Sequence, residues 1–418
     1  MINLPIEIEY DSEYKSKLHE TFENYNKWIS GEFIKNLHTA CKFSKLDPSL
    51  FNAESFASEI NEIEHRIENI LESYYSARIS KAIEEMRKLL KKLIEEDTLK
   101  FVVSDIDKSY ATRLTAPFPA LHAPYLSNPN EYYCKMQNEP LSFFRARVGE
   151  VSTPAEMSHI PFNKRDIIAT QRFSVPGTPC LYMGTSSYDI WKELGQPPLS
   201  KFNVSAIRLK AEKDRVQIKI LNLINDISLQ EGLMALPHDS PHSHDSICLA
   251  ALLAKMWPLV CATSFRVKNS RGNFHSEYII SHLIMLCLPL LEIDGIAYTS
   301  KRIKANDRIH ALPLFVNIAI PMISSSVENT LGNLCSSFEI TAPVNFQEIL
   351  SLNLVRSAET QNNCFFAKAF PESSANKYLK DIFFANKSHY YRDTAFFSMD
   401  NYLCGLNFSP MSTEQNNF

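Results

Sequence analysis

From Ser58 to Lys100 the apolar residues return every three to four positions: Ile60, Ile63, Ile67, Ile70, Tyr74, Ile79, Ile83, Met86, Leu90 and Leu93, with Glu, Lys and Arg between them. This is the helical period, and it predicts one long amphipathic helix or a hairpin of two whose apolar face has to be covered. The basic run in "MRKLLKKLIEED" is balanced by its own acids and reads as a solvated face. The expectation for residues 1–114 is therefore a helical N-terminal domain that packs against something or docks a partner.

The pattern stops at "TAPFPALHAPYLSNPNEYY", Thr115 to Tyr133. Prolines remove backbone donors, so 115–140 reads as a linker or a lid. Beyond it come short strand-like runs, "SFFRARVG", "PCLYMGTS", "NVSAIRLK", "RVQIKILNL", "DGIAYTS" and "LPLFVNIAIP". Two helical stretches separate them, near Ser187 to Leu194 and Glu277 to Leu288, which predicts a mixed α+β domain over 141–346. The rest, 347–418, is polar with interspersed Phe and Tyr, a C-terminal extension to which the sequence attaches no chemistry.

Composition narrows the function. The 418 residues are 45% apolar, enough for two or three domains. A net charge of -4 and a pI near 6.3 supply no concentrated basic surface for nucleic acid or anionic lipid. Helical nucleases of the HEPN type need an Arg followed five positions later by a His, and no Arg here has one. Nine cysteines occur without a CxxC pair, so they read as reduced, mostly buried thiols rather than a disulfide framework or zinc site. No leader pattern opens the chain, and the apolar run from Ile279 to Leu291 is broken by Ser281, His282 and Pro289, so a cytoplasmic chain without a membrane span is expected. There are only 10 glycines, and neither GxGxxG nor GxxxxGK[ST] occurs. A phosphorylated ligand would have to be held by side chains rather than by a Gly-rich turn.

Candidate side chains follow. Strand alternation in "FFRAR" puts Arg145 and Arg147 on one face, and Arg172 would be a third guanidinium able to grip pyrophosphate oxygens. On spacing alone, ordinary surface arginine is the commoner reading of each position. In "SSYDIWKE" Ser186 and Asp189 form a capping-box pattern, while Glu193, four residues after Asp189, faces it as a like charge. Glu193 reads either as a functional acid or as a helix-surface residue beside Lys192, and Tyr182 as a half-buried strand tyrosine. The cluster "HDSPHSHD", with His238, His242 and His244, has irregular spacing and reads as a polar loop, not a metal site.

"FFRAR", "RFSVPGTPCLYMGTSSYDIWKE", "CATSFRVKNSRGNFHSEYIISHLI" and "DGIAYTS" follow in the order and spacing that resembles the RES-domain family, over roughly Leu141 to Thr341. These are NAD-degrading toxins with a fold similar to ADP-ribosyltransferases. The resemblance implies an α+β, ADP-ribosyltransferase-like mixed β core with short helices. It implies that Arg145 and Arg172 bind phosphates, that Tyr182 packs on the nicotinamide and that Glu193 is the catalytic acid, with Ser264 and Glu277 at less distinctive cofactor-binding positions and Ser300 weaker still. The family's usual Gly-Arg-aromatic-Asn is here Gln171-Arg172-Phe173-Ser174, and a proline and amide are replaced by Ser281 and His282.

That reading makes NAD the substrate rather than a resident cofactor, and needs no metal, because nicotinamide leaves NAD neutral. One carboxylate suffices to stabilise the oxocarbenium-like ribose. Water or phosphate could be the acceptor. Transfer of ADP-ribose to a macromolecule and a non-catalytic NAD- or partner-sensing module are the alternatives. A separate antitoxin or regulatory protein, and a homo-oligomer, remain compatible with the sequence.

Overall fold

A computed structural model describes residues 4–43, 45, 47, 52–113, 140–224, 244–268, 274–302, 315–323, 332–351, 363–364, 382–384, 387–389 and 391–411. The Pro-rich segment Thr115–Tyr133 and residues His238 and His242 lie outside them.

The amphipathic stripe folds as a hairpin of two helices, α3 (Ala53–Tyr75) and α4 (Ile79–Glu95), preceded by α1 (Tyr14–Trp28) and α2 (Ile34–Phe43). Ile60, Ile63, Ile67, Ile70, Met86, Leu90 and Leu93 are buried as the spacing predicts, whereas Ile79, the first residue of α4, is exposed. The basic run does face solvent, Arg87 pairing with Glu84 at 3.0 Å and Lys92 with Glu62 at 3.1 Å.

The β-rich part contains β3 (Phe143–Val148), β4 (Cys180–Gly184), β5 (Phe202–Leu209), β6 (Lys219–Leu223), β8 (Gly295–Thr299) and β9 (Val316–Pro321), within the runs read as strands except that β5 begins one residue earlier, at Phe202. They belong to one ten-stranded sheet ordered β14-β10-β5-β3-β4-β9-β8-β6-β2, with β11 beside β5. Here β2 is Val103–Asp105, β10 Phe338–Thr341, β11 Val344–Asn345 and β14 Phe408–Pro410. Neighbours are antiparallel except β6 and β8. Two short pairs stand apart: β1 (Glu7–Ile8) runs parallel to β7 (Arg266–Val267), and β12 (Ile382–Phe384) pairs with β13 (Lys387–His389). The fold is α+β with an N-terminal helical region.

Period-2 alternation separates two cores. Leu181, Met183, Ile318 and Ile320 point into one; Cys180, Ala319, Ile296 and Tyr298 point into the other. The second core is continuous with the apolar faces of α1, α3 and α4. Among the described residues no helix is long and apolar enough to cross a membrane. The eight described cysteines are free thiols, six of them buried. Residues beyond 347 also join this body: β14 extends the sheet, and α9 (Ala395–Cys404) packs on β5, on α8 (Phe346–Ser351) and on α5 (Ser187–Glu193).

The main helix between the strands, α6 (His244–Ala262), was not among the helical stretches expected from sequence. Leu249, Leu253, Trp257 and Val260 are all buried, so it has no polar face to give a period. It also contains Pro258. Proline has no N–H, so the carbonyl four residues back, that of Ala254, loses its helical partner. Tyr25 Oη donates to that carbonyl at 2.9 Å, and its ring stacks on Trp257 at 3.8 Å. Tyr14 Oη serves the Ala262 carbonyl at the end of α6 at 2.7 Å. Two tyrosines of α1 thus satisfy two freed carbonyls of α6.

Replacing Tyr25 with Phe should therefore destabilise the chain by about 1–3 kcal/mol, because the Ala254 carbonyl is left bare in the core. In a Pro258→Ala background the restored amide serves the same carbonyl and the cost should shrink. Denaturant midpoints of the four proteins of this cycle check it; an equal cost in both backgrounds would refute the link.

Candidate functional site

The register puts Gly184 opposite Asn317 and Asn317 opposite Tyr298, a row across β4, β9 and β8. Helix α5 starts just past Gly184 and lies over this row. A Cβ on Gly184 would come to 2.9 Å from Ile190 Cγ1 and 3.4 Å from Asp189 Oδ2, so the close approach of α5 requires glycine.

The start of α5 is held twice. Ser186 Oγ accepts from the Asp189 amide at 3.1 Å, the half of the capping box that the sequence predicts. The Ser187 amide donates to Asp400 Oδ1 at 3.1 Å, and Tyr391 Oη donates to the same carboxylate. Asp400 belongs to α9, so the segment to which the sequence attached no chemistry caps the helix that carries Glu193. Burial pushes the Asp400 carboxyl up to about 7.

Asp189 is more than a capping residue, which corrects the first reading. Its carboxyl is sealed from solvent and faces Ser300 and Asn317, the same two side chains that reach Glu193. Burial first, then the charge of Glu193, raises it well above the usual carboxylate range, so its ionisation is opposed. The expected repulsion of two like charges is relieved in this way. Glu193 itself is half-buried and accepts at Oε1 from Ser300 Oγ at 2.5 Å and from Asn317 Nδ2 at 3.2 Å. Ser300, the weakest of the sequence matches, is in direct contact with the acid. Asn317 and Tyr298 were missed; only the strand register brings them in.

Tyr298 is the link to Arg172. Burial, then Glu193 and Asp189, raise its phenol, while Arg172 acts in the opposite direction. Its ring packs on Phe173 at 4.3 Å. Arg172 donates from Nη1 to the Thr263 carbonyl at 3.0 Å and the Glu277 carbonyl at 3.4 Å, and from Nη2 to Phe265, while its guanidinium covers the Tyr278 ring at 4.8 Å. It is a clamp on main-chain carbonyls from two segments. Between two of these lies Ser264, whose hydroxyl donates to the Val260 carbonyl and accepts from Lys301 Nζ at 2.8 Å, one residue past Ser300. Glu277 is buried, and burial pushes it up to about 7. The two departures from the family pattern touch each other: His282 Nε2 meets the Gln171 carbonyl at 2.8 Å, and burial lowers His282 so that it donates as a neutral ring.

Arg145 and Arg147 do project together, both donating to the Ser158 carbonyl, at 3.1 and 2.8 Å. Arg145 also donates to the Tyr182 carbonyl at 2.7 Å and keeps a buried Nε without a partner. Tyr182 is part-buried with its hydroxyl sealed, and burial raises it well above its ordinary value. So Glu193, Asp189, Ser300, Asn317 and Tyr298 form one cluster. Arg172, Ser264 and Glu277 form a second beside it, and Arg145 sits at the strand that carries Tyr182. A cleft lined by Phe56, Glu59, Leu252 and Lys255 in the helical region contains none of these residues.

The chain is 34% identical over 223 residues, 51% of its length, to "Putative toxin YopC" of Bacillus subtilis (strain 168). It spans about half the length of that curated relative, 48%. The likeness supports a toxin-like protein. No protein family model and no solved structure matches the chain.

Asp400 gives this site a pH signature. Its folded value lies above the ordinary 3.8, so its contribution to stability is present below about 4 and is lost as pH rises through about 7. The gap in denaturation midpoint between the wild-type chain and an Asp400→Asn variant should therefore change between pH 5 and pH 8, with the wild type losing more. A pH-independent gap would show that Asp400 titrates normally.

Proposed function

We propose that the chain is a toxin-like enzyme that cleaves the nicotinamide–ribose bond of NAD. The observation that carries the reading is the Glu193 carboxylate, fixed by Ser300 and Asn317 beside Asp189, whose ionisation burial opposes. The likeness to a protein named a toxin and the resemblance of the Arg172–Glu193 stretch to NAD-degrading toxins support it.

Breaking the C–N bond sends its electron pair to the pyridine nitrogen, so nicotinamide leaves neutral and no acid is needed to protonate it. The positive charge stays on the ribose. A carboxylate held in place by two donors stabilises that charge without having to reorganise. Water then adds to the ribosyl carbon and loses a proton, giving ADP-ribose. Burial opposes a second charge on Asp189, beside the carboxylate where the cation forms. Arg172 and Arg145 are the cations that would attract the diphosphate, while their Nη donors hold the Thr263 and Tyr182 carbonyls.

Purified wild-type chain incubated with NAD should release nicotinamide and ADP-ribose, followed by chromatography. Glu193→Gln should lower kcat by on the order of 100-fold, about 3 kcal/mol, with KM changed far less. Ser300→Ala and Asn317→Ala should each reduce kcat in the same direction by a smaller factor. Full turnover in a folded Glu193→Gln variant would overturn the assignment, and label carried to a macromolecule would replace hydrolysis by ADP-ribosyl transfer.

A further inference from the structure

Another cluster lies where the N-terminal segment meets the turn before α7 (Ile279–Cys287). Asp11 opens the single turn Asp11–Glu13, and His275 and Glu277 flank the start of the turn Ser276–Tyr278. The β1–β7 pair and the Glu7–Arg266 ion pair bring the two together. His275 Nδ1 lies 3.8 Å from Glu277 Oε1 and 4.0 Å from Asp11 Oδ1, and one ligand atom from each of the three residues falls within 4.8 Å of the others. The side chains of Glu277 and His275 are 2% and 12% exposed.

What these groups lack is a partner. Asp11 Oδ1, His275 Nδ1 and Glu277 Oε2 are sealed from solvent with no N–H or O–H of another residue reaching them, the Asp11 and Glu277 carboxyls facing only each other. Each such group costs about 1–3 kcal/mol when left bare. Three converging orphan atoms are most simply satisfied by one shared cation.

We propose that Asp11, His275 and Glu277 bind a divalent first-row transition-metal ion that joins the N-terminal segment to the turn whose Glu277 carbonyl is clamped by Arg172. Two carboxylates and a neutral imidazole balance a double positive charge. An N,O,O donor set suits Mn2+, Fe2+ or Zn2+ better than Ca2+ or Mg2+, which favour oxygen alone. At metal–ligand distances of about 2.0–2.2 Å neighbouring donors stand roughly 3–3.5 Å apart, so the side chains close on the ion by between a few tenths of an ångström and somewhat over one ångström. The role is structural, and it adds to the metal-free chemistry at Glu193 an ion that the sequence did not suggest. The inference does not rest on NAD cleavage.

Mn2+ is the probe, because thiolates, of which this chain has many, prefer softer ions. The full chain is freed of metal with a chelator and titrated with Mn2+, the free ion being counted by electron paramagnetic resonance and the melting temperature followed in parallel. The expected result is one equivalent bound with a rise in Tm. Glu277→Gln and Asp11→Asn should each weaken binding at least tenfold and remove that rise. Asp11 is the more exposed partner, so its variant keeps the test open if Glu277→Gln fails to fold. No binding by the wild type, wild-type binding in the folded variants, or a preference for Ca2+ in competition would overturn the proposal.

Discussion

Pro258 removes an amide from a helix buried over most of its surface, and Tyr25 donates to the carbonyl left bare. An orphan carbonyl at that depth is costly, so α1 and α6 are stable only together. The position of α6 in turn fixes where its C-terminal end delivers the Thr263 and Phe265 carbonyls, and Arg172 closes on both. Because Arg172 is followed by Phe173, the same anchor places the aromatic ring that packs on Tyr298. The helical region therefore shapes the row on the sheet without contributing a residue to it.

The acid pair on α5 shows a second constraint. Two carboxyls one turn apart repel when both are charged, and the fold resolves this by burying one of them completely. The glycine at 184 makes that burial possible, since any side chain there would occupy the space of Asp189 and Ile190. Glu193, the less buried member, accepts from Ser300 and Asn317.

Much of this was legible in the sequence, and the gaps have physical causes. The helical hairpin and six central strands carry strong periods, 3.6 and 2, and their side chains are buried as those periods require. The cap at Ser186 is a local interaction between residues three apart, so the sequence displays it. Helix α6 was invisible because burial on all sides erases the period and a proline argues against a helix. Asn317 and Tyr298 became site residues only through β8–β9–β4 register, a non-local pairing with no signature in either strand. Asp189 was misjudged because its backbone role at the cap concealed the separate fate of its carboxyl. Of the arginines, the sequence suggested that they project into one region but not that their donors would be taken by main-chain carbonyls.

The Ser187 amide and its partner Asp400 are 213 residues apart in the chain. During synthesis the helix bearing Glu193 leaves the ribosome long before the carboxylate that pins its first turn, and such distant closures are slow to form. A nascent or prematurely ended chain therefore carries every residue of the acid cluster while lacking the part that holds them in place.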